Sequence, residues 1–459
     1  MARSRLLLAL PVLLGPVALI FAKGGYFDVP RLIAGALACS LVVLLAITSK
    51  RPIPRETAPR LALLGLTILT AWTGASLAWA PIAGVASDDL QRLLLYLAFF
   101  TAALALLRPP EVRRLVEPVL LAGIVAAALY GLSERLLPSL LELQTLPSAN
   151  DRLAWPLTYW NAMGALCGMG LVLAAASRSR IAAAAAPILG LALYLTFSRG
   201  ALGATAAGFA VLLALEPTRG RLLRVALVGA AAAVPMAATF VLAAVEAPGG
   251  SATQGAAMLV LLAVTTAGAV ALAGRELKAG QSSFRFLRVA ALGVLAVALI
   301  GTALLTTRGQ SRPAVGAEAS RLLSTESNRY AYWRVALDTF AEHPLDGAGS
   351  GAFRTEWLRE RKIPEAVRDA HSLYFETAAE LGLVGLLALA LFVGGIVGMA
   401  RHQPKAAGAI AALAVYATHA GLDWDWEMPA LTLVALVLAA RLAPPEGEAP
   451  SAAAPPAPS

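Results

Sequence analysis

The fold is decided by the stretch at residues 328–386, NRYAYWRVALDTFAEHPLDGAGSGAFRTEWLRERKIPEAVRDAHSLYFETAAELGLVGL. This is the one long polar interval in a chain of 459 residues that is 58% hydrophobic and only 14% charged, with a mean hydropathy of +0.71. Soluble domains carry about 25% charged residues. The composition therefore predicts an integral membrane protein, and the polar interval is predicted to be its main segment outside the bilayer.

The rest of the chain is a series of apolar runs separated by short connections. A bilayer core takes roughly 20 helical residues, so the runs predict an all-α polytopic membrane protein with about 14 transmembrane helices and one large extracytoplasmic helical loop. The expected domains are helices 1–11 over residues 1–306, the loop at 307–380, helices 12–14 over 381–441, and a disordered Pro/Ala-rich cytoplasmic tail at 442–459. The predicted spans are 6–22, 32–48, 61–80, 93–107, 115–132, 157–176, 181–197, 201–215, 225–245, 256–273, 289–306, 381–400, 406–421 and 429–441.

Lys and Arg residues concentrate in alternate connections between these runs. Short cytoplasmic connections carry an excess of basic residues. The pattern predicts a multi-pass protein of the cytoplasmic membrane with both termini in the cytoplasm and the long loop outside, and a first helix that is retained rather than cleaved as a signal peptide. The net charge of +9 does not indicate a nucleic-acid partner, because the basic residues lie in short clusters between apolar runs, where they set topology.

The first part of the polar interval predicts a helix from about Arg329 to Ala341, capped by Ser327. The residues expected on its buried face are Trp333, Ala336, Leu337 and Phe340. Arg329 lies at the head of that face, where a guanidinium needs an anionic partner. Two interpretations stay open: a salt bridge to a loop carboxylate such as Glu326, or a phosphate-binding site, since Arg matches phosphate oxygens with two donors.

A glycine turn follows at Gly347, Gly349 and Gly351. Successive backbone N–H groups in such a turn can hold an anion, and simple chain reversal is the alternative. The surrounding residues fit neither the hydrolase GxSxG pattern nor a Walker pattern. No cofactor is therefore predicted.

His371 is expected at the start of a second helix that runs into the span beginning near Leu381, with Tyr374 and Phe375 on the same face. That spacing puts His371 near the outer membrane surface. A lone histidine is often structural, but its neutral form near pH 7 also suits a general base. Tyr374 is a candidate for lining a substrate site beside it.

Arg199 lies between two apolar runs, at the outer end by the predicted topology. Charged residues in spans are costly and seldom face lipid. Arg199 is thus either an arginine that snorkels at a tight helix turn or one that faces a cavity for an anionic head group. Tyr159 and Asn161 begin a nearby span and either line the same cavity or belong to an interfacial aromatic belt.

Acidic residues gather in the last outer loop, where Asp423, Asp425 and Glu427 follow His419. His419 and Asp423 are four residues apart, a spacing that can suit a metal ion. The sequence offers no third firm ligand, so no metal site is predicted.

Taken together, Arg329 with Trp333, the turn HPLDGAGSGAF and the segment AHSLYFETAAELGLVGL resemble the outer-loop signature of the O-antigen ligase and O-antigen polymerase superfamily. The SRG at 198–200 and the late DWDWEMP stretch are similar to further features of that family, and the resemblance covers roughly residues 155–440. It implies a GT-C-like plan and a membrane glycosyltransferase acting in cell-surface polysaccharide assembly. The implied partners are an undecaprenyl-pyrophosphate-linked glycan donor and a glycan, lipid or protein acceptor.

By the same resemblance, His371 matches the loop histidine that deprotonates the acceptor hydroxyl, and Arg199 and Arg329 match arginines that bind the pyrophosphate. The family is described as working without an essential metal or a nucleotide sugar. Ligase and polymerase are not separated by any motif here. A transporter or flippase of lipid-linked or polar solutes is the alternative function, and a non-catalytic scaffold is a third.

Overall fold

The computed structural model describes residues 2–49, 53–138, 140, 143–144, 146–273 and 327–446. Every regular element in these ranges is helical, which agrees with the predicted all-α class. The predicted span at 289–306, the start of the predicted loop at 307–326 and most of the predicted tail lie outside the described residues.

The α-helices of the described residues are numbered here in chain order. They are α1 Ala2–Phe21, α2 Asp28–Thr48, α3 Thr57–Ser76, α4 Ala83–Leu106, α5 Pro110–Arg113, α6 Val116–Leu136, α7 Trp160–Ala176, α8 Ala185–Leu195, α9 Arg199–Leu215, α10 Arg219–Ala238, α11 Ala252–Leu272, α12 Arg329–Glu342, α13 Phe353–Glu360, α14 Leu373–Arg401, α15 Ala407–Ala420 and α16 Pro429–Ala440. Short 3-10 helices occupy Lys23–Gly25, Pro147–Ala149, Ile181–Ala184, Ala243–Glu246, Pro404–Ala406 and Asp425–Glu427.

Six helical segments of the described chain are long and apolar enough to cross a bilayer. They are Asp28–Thr48, Ala83–Leu106, Pro110–Leu136, Arg219–Ala238, Ala252–Leu272 and Leu373–Arg401. Shorter apolar helices cover Leu6–Phe21, Trp160–Ala176, Ile181–Leu195, Arg199–Leu215, Ala407–Ala420 and Pro429–Ala440. Together they describe a multi-pass membrane protein, while the number of spans and the placement of the termini stay predictions.

Glycines bring the helices close together at two places that matter for the site. Gly65 of α3 faces the backbone of Phe392 in α14, where a Cβ would collide, so these two helices touch backbone to backbone. Gly168 of α7 lies against Thr205 of α9 and the Val415 side chain of α15, and Gly208 of α9 lies against the same Val415 side chain. The second contact fixes α7, α9 and α15 as one unit, and the first fixes the helix that carries the end of the polar interval.

The polar interval has a small core of its own. The residues buried in it are Tyr332, Trp333, Val335, Ala336, Phe353, Trp357, Ala370 and Ala379. The predicted helix is confirmed as α12, and the Ser327 hydroxyl accepts from the Arg329 amide at 3.2 Å. Leu337 and Phe340 do not share its buried face, since Leu337 is 47% exposed and Phe340 is half-buried. Burial follows aromatic packing against α13 and not the apolar stripe read from spacing.

Candidate functional site

A cavity of about 290 Å³ lies where the polar interval meets the ends of α7 and α9. Its size is near the lower end of ordinary ligand pockets, which are about 300–1,000 Å³. Five of the six predicted site residues line it: Tyr159, Asn161, Arg199, Arg329 and His371. The other lining residues are Ser148, Asn150, Arg152, Trp160, Phe197, Ser198, Gly200, Ser327, Asn328, Tyr332 and Glu365. We refer to this space as the arginine–histidine cavity.

Arg199 is the first residue of α9, directly after its N-cap. The Ser198 hydroxyl accepts from the Ala201 amide at 3.2 Å and so fixes the start of the helix. Arg199 is half-buried and lines the cavity, and it lies close enough to Tyr330 to act on that residue electrostatically. This placement favours the cavity-facing interpretation of Arg199 over snorkelling.

Arg329 forms an ion pair with Asp423, a fully buried carboxylate of the loop between α15 and α16. The same carboxylate accepts from the Tyr159 hydroxyl at 2.5 Å and from the Asn161 amide at 2.7 Å. Burial alone would raise the pKa of Asp423, but Arg329, His371 and His419 together lower it below the ordinary value. Asp423 is therefore an anion that orients three cavity residues at once.

These contacts bear on the open interpretations at three positions. A salt bridge from Arg329 to a carboxylate is present, although its partner is Asp423 and Glu326 lies outside the described residues. Tyr159 is only 5% exposed and stacks on Trp424 at 4.1 Å between ring centroids. Tyr159 and Asn161 are thus cavity residues and not part of an interfacial belt.

His371 precedes α14 and is not on its face as predicted. Its φ of +54° lies in the left-handed region, and the helix begins two residues later behind the N-cap Ser372. The His371 Nδ1 lies 2.9 Å from the Asp369 carbonyl oxygen. Because a carbonyl only accepts, Nδ1 carries the proton in the neutral ring, and Nε2 keeps a free lone pair. This tautomer is the one that a general base requires.

The wall behind His371 is aromatic. The Tyr332 ring lies 5.3 Å from the His371 ring, and its hydroxyl donates to the Glu365 carboxylate at 2.7 Å. Burial, followed by the Glu365 carboxylate, raises the pKa of Tyr332, so its hydroxyl stays protonated at neutral pH. Tyr332 therefore supports the imidazole and offers no anion to compete with a bound phosphate.

Tyr374 does not line the arginine–histidine cavity. It lies on α14 with its hydroxyl donating to the Ala417 carbonyl at 2.9 Å, and it lines a separate apolar space between α14 and α15. The prediction placed it beside His371 because both were assigned to one helical face. The left-handed turn at His371 breaks that register.

Arg152 is a site residue that sequence reasoning missed. It is 6% exposed and lines the cavity, and its guanidinium carbon lies over the Trp160 ring, 3.6 Å from the ring centroid. Stacking on an aromatic face is a characteristic contact of arginine. From the sequence, Arg152 is only one of several basic residues in short outer connections, and the neighbouring Trp160 was the available signal.

Backbone strain collects around the same cavity. Asn150, Phe197 and His371 line it with φ values of +45°, +48° and +54°. Non-glycine residues in this region cost of order 1–3 kcal/mol each and cluster at functional sites. The strained residues come from three separate segments. The packing around the cavity therefore maintains strained backbone on several sides of it.

The glycine turn has a different partner from the one considered in the sequence. Gly347, Gly349 and Gly351 all have positive φ, between +73° and +96°. The amides of Gly351 and Phe353 donate to the Glu380 carboxylate at 2.8 and 3.0 Å. The turn therefore does hold an acceptor group, but that group is the carboxyl of Glu380 on α14 of the same chain.

Around this contact lies a second polar group, which we call the glycine-turn cluster: Asp89, Arg92, Ser350, Glu376 and Glu380. Asp89 pairs with Arg92 and accepts from the Ser350 hydroxyl at 2.6 Å. Glu376 accepts from the Ala370 amide at 2.7 Å. The space among these residues is about 50 Å³, so the cluster fastens the polar interval to α4 and α14 and leaves little room for a ligand.

The acidic residues of the loop between α15 and α16 also have protein partners. Asp423 is engaged by Arg329, and His419 Nδ1 lies 2.5 Å from Asp425. Within the described residues, no group of three or more His, Cys, Asp or Glu side chains is arranged to hold a metal ion.

Residues 182–390 match the model of the family described as O-Antigen ligase. This region contains Arg199, Arg329 and His371 together with the glycine turn. Over these residues the chain is similar to the O-antigen ligase and O-antigen polymerase superfamily, as the sequence predicts. The matched region is narrower than the predicted extent of 155–440 and leaves Tyr159, Asn161 and Asp423 outside. No curated protein compared with the chain matches it.

The family fits the fold described above, a multi-pass helical membrane protein with a polar segment between its apolar helices. Members are glycosyl-transferring enzymes of polysaccharide assembly, and their reaction implies a lipid-linked glycan donor and a glycan acceptor in a membrane. The match therefore supports a membrane glycosyltransferase-like role in polysaccharide assembly.

Proposed function

We propose that the protein transfers a glycan from an undecaprenyl-pyrophosphate carrier to an acceptor hydroxyl at the outer face of the cytoplasmic membrane. The observation that carries the proposal is that Arg199, Arg329 and His371 line one cavity, although they come from distant parts of the sequence. An anion-binding pair beside a positioned base is what displacement of a pyrophosphate by a hydroxyl needs.

The two arginines serve the leaving group. As the bond between the anomeric carbon and the pyrophosphate oxygen breaks, its electron pair stays on that oxygen and negative charge grows there. Fixed guanidinium groups in a site shielded from water stabilise such charge, and they need no reorganisation during the reaction. Arg152, on the Trp160 ring, adds a third guanidinium on the same wall.

Arg329 is compatible with this role despite its ion pair. A guanidinium has five N–H donors in one plane, and the contact to Asp423 is made through one terminal nitrogen. The remaining donors are available to a phosphate, while the buried carboxylate fixes the direction of the side chain. Asp423 is accordingly proposed as a positioning residue.

His371 serves the acceptor. Its Nε2 takes the proton of the acceptor hydroxyl as the oxygen forms its bond to the anomeric carbon. The Nδ1–H bond to the Asp369 carbonyl keeps the ring in the tautomer that this step uses. A positioned base typically contributes about 10²–10⁴-fold to such a reaction.

The direct test uses purified protein in liposomes with a defined lipid-pyrophosphate-linked glycan. Loss of glycan from the donor with formation of a new glycosidic product supports the proposal. Longer glycans on the same carrier would identify a polymerase, and transfer to a different acceptor would identify a ligase. Movement of intact donor across the membrane without any new product would favour a flippase and contradict the proposal.

A further inference from the structure

An imidazole–carboxylate pair lies next to the arginine–histidine cavity. His419, at the end of α15, and Asp425, in the following 3-10 helix, are both completely buried. The His419 Nδ1 and an Asp425 carboxylate oxygen are 2.5 Å apart. Neither residue belongs to the set predicted from the family resemblance.

The pair is not fully satisfied by the residues that the structure describes. Among them, His419 Nε2 has no hydrogen-bond partner, and neither does the second oxygen of Asp425. Buried polar atoms without a partner are uncommon in folded proteins. A completely buried ring nitrogen without a partner among the described residues is therefore a candidate for binding a ligand atom.

The balance of buried charges indicates whether His419 Nε2 carries a proton. A buried carboxylate needs a countercharge, and the nearby Arg329 is already paired with Asp423. If Asp425 is ionised, the pair has no net charge only when His419 is protonated. The pair is then an imidazolium and a carboxylate. In that form Nδ1–H donates to Asp425, and Nε2–H is a donor with no acceptor.

The direction of His419 connects it to the cavity. A Cβ placed on Gly200 would lie 3.4 Å from His419 Nε2. Gly200 lines the cavity and follows Arg199 at the start of the 17-residue helix α9. Only Gly200, which has no side chain, thus separates His419 Nε2 from the cavity. Gly200 also lies at the N-terminal end of α9, where backbone N–H groups favour anions.

We propose that His419, held by Asp425, is a further binding residue for the pyrophosphate, whose oxygen reaches the Nε2–H over Gly200. This inference rests on the function proposed above and extends it, since it adds a donor from α15 to the arginines of α9 and α12. Glycine at position 200 is then needed because any side chain would cover the donor.

Two variants test the contact without removing either arginine. His419→Asn keeps an amide donor toward Asp425 near the Nδ1 position and removes Nε2. Gly200→Ala leaves the pair intact and places a methyl group over Nε2. Gly203→Ala is the matched control, because it lies on the same helix and its Cβ would meet no atom within 4 Å.

The measurement is binding of undecaprenyl pyrophosphate, the carrier without its glycan, to purified protein in nanodiscs, with thermal unfolding followed in parallel. We expect His419→Asn and Gly200→Ala to weaken binding by about tenfold or more, as for a lost hydrogen bond to a charged group. Gly203→Ala should bind like the wild type. All three should unfold near the wild-type temperature.

Two results would overturn the inference, and they are distinguishable. If the wild type binds the carrier and Gly200→Ala binds equally well, His419 is a structural residue and the proposed function is untouched. If the wild type does not bind the carrier at all, the proposed function fails, and the role of His419 fails with it. Should His419→Asn not fold, Gly200→Ala alone still decides.

Discussion

The molecule contains two polar clusters built from the same residue types, and they differ in how much space they enclose. In the glycine-turn cluster, carboxylates accept hydrogen bonds from backbone amides, a serine hydroxyl and Arg92. These groups enclose a space of about 50 Å³. In the arginine–histidine cavity, guanidinium groups and an imidazole surround about 290 Å³. The first cluster excludes a large ligand, whereas the second has room for a phosphate and part of a sugar.

The comparison indicates that net charge and enclosed volume distinguish a structural cluster from a candidate binding site. The glycine-turn cluster has an excess of acidic residues and supplies its own donors from the backbone. The arginine–histidine cavity has an excess of basic residues, with Asp423 as their buried anion. Substitutions in the cavity should therefore change activity first, and substitutions in the glycine-turn cluster should change stability first.

The largest effect is expected for His371→Ala. Removing the base should lower glycan transfer by about 10²–10⁴-fold while the protein still inserts and folds. His343→Ala, an exposed histidine at the end of α12, is the matched control. Initial rates in liposomes are the measurement, and near-normal transfer by the His371 variant would remove this residue from the mechanism.

Arg329→Ala should lower both stability and glycan transfer, because it leaves the buried Asp423 without its countercharge. We expect the free energy of unfolding to fall by about 3–5 kcal/mol and transfer to be lost. The double variant with Asp423→Asn should regain much of the stability and none of the activity. Chemical denaturation of the two variants in the same detergent measures the difference.

The same pair gives a pH dependence with a definite sign. Since the pKa of Asp423 is lowered in the folded protein, its contribution to stability is complete above the ordinary Asp value of about 3.9 and is lost as the pH falls through the lowered value. Acid should thus destabilise the wild type more than the double variant. Equal acid sensitivity would mean that the ion pair contributes little.

Arg199→Lys should weaken activity without a change in stability. Lysine keeps the charge but not the planar pair of donors that fits a phosphate. We expect transfer to fall by about tenfold or more, roughly the value of one hydrogen bond to a charged group. Full activity with donor kinetics like the wild type would return Arg199 to the snorkelling interpretation.

Glu380→Gln tests the other side of the comparison. Its carboxylate accepts from the amides of Gly351 and Phe353, and a glutamine can satisfy only one of them as an acceptor. We expect a loss of about 1–3 kcal/mol in stability, with transfer per folded molecule close to normal. Glu360→Gln, an exposed residue at the end of α13, serves as control.

The smallest effect is expected for Tyr374→Phe, which removes one hydroxyl outside the cavity. The loss of its hydrogen bond to the Ala417 carbonyl should cost about 0.5–1.5 kcal/mol. Transfer should stay unchanged. A large loss of activity would mean that the space between α14 and α15 takes part in the reaction.

The class of fold, and most of the candidate residues that line the cavity, could be predicted from the sequence because polar residues are conspicuous against an apolar background. Arg199 stands out between two apolar runs, and His371 stands out in the one long polar interval. The family match then supports the same segments. The local geometry at His371 was not accessible, since a left-handed residue before a helix leaves no signal in helical periodicity.

The partners were not accessible because they depend on contacts between distant segments. Asp423 meets Arg329, and Glu380 meets the amides of the glycine turn, only once α14 and α15 are in place. Arg152 is one of many basic residues in connections until its stacking on Trp160 is seen. The sequence thus shows which residues carry charge, and the packing of the helices determines which of these charges are paired within the protein.

The most direct test of the account is an experimental structure with undecaprenyl pyrophosphate bound. The account predicts that phosphate oxygens lie within hydrogen-bond distance of both Arg199 and Arg329, with His371 Nε2 facing the position of the missing sugar. A carrier bound elsewhere, or bound with Arg199 directed into lipid, would contradict it.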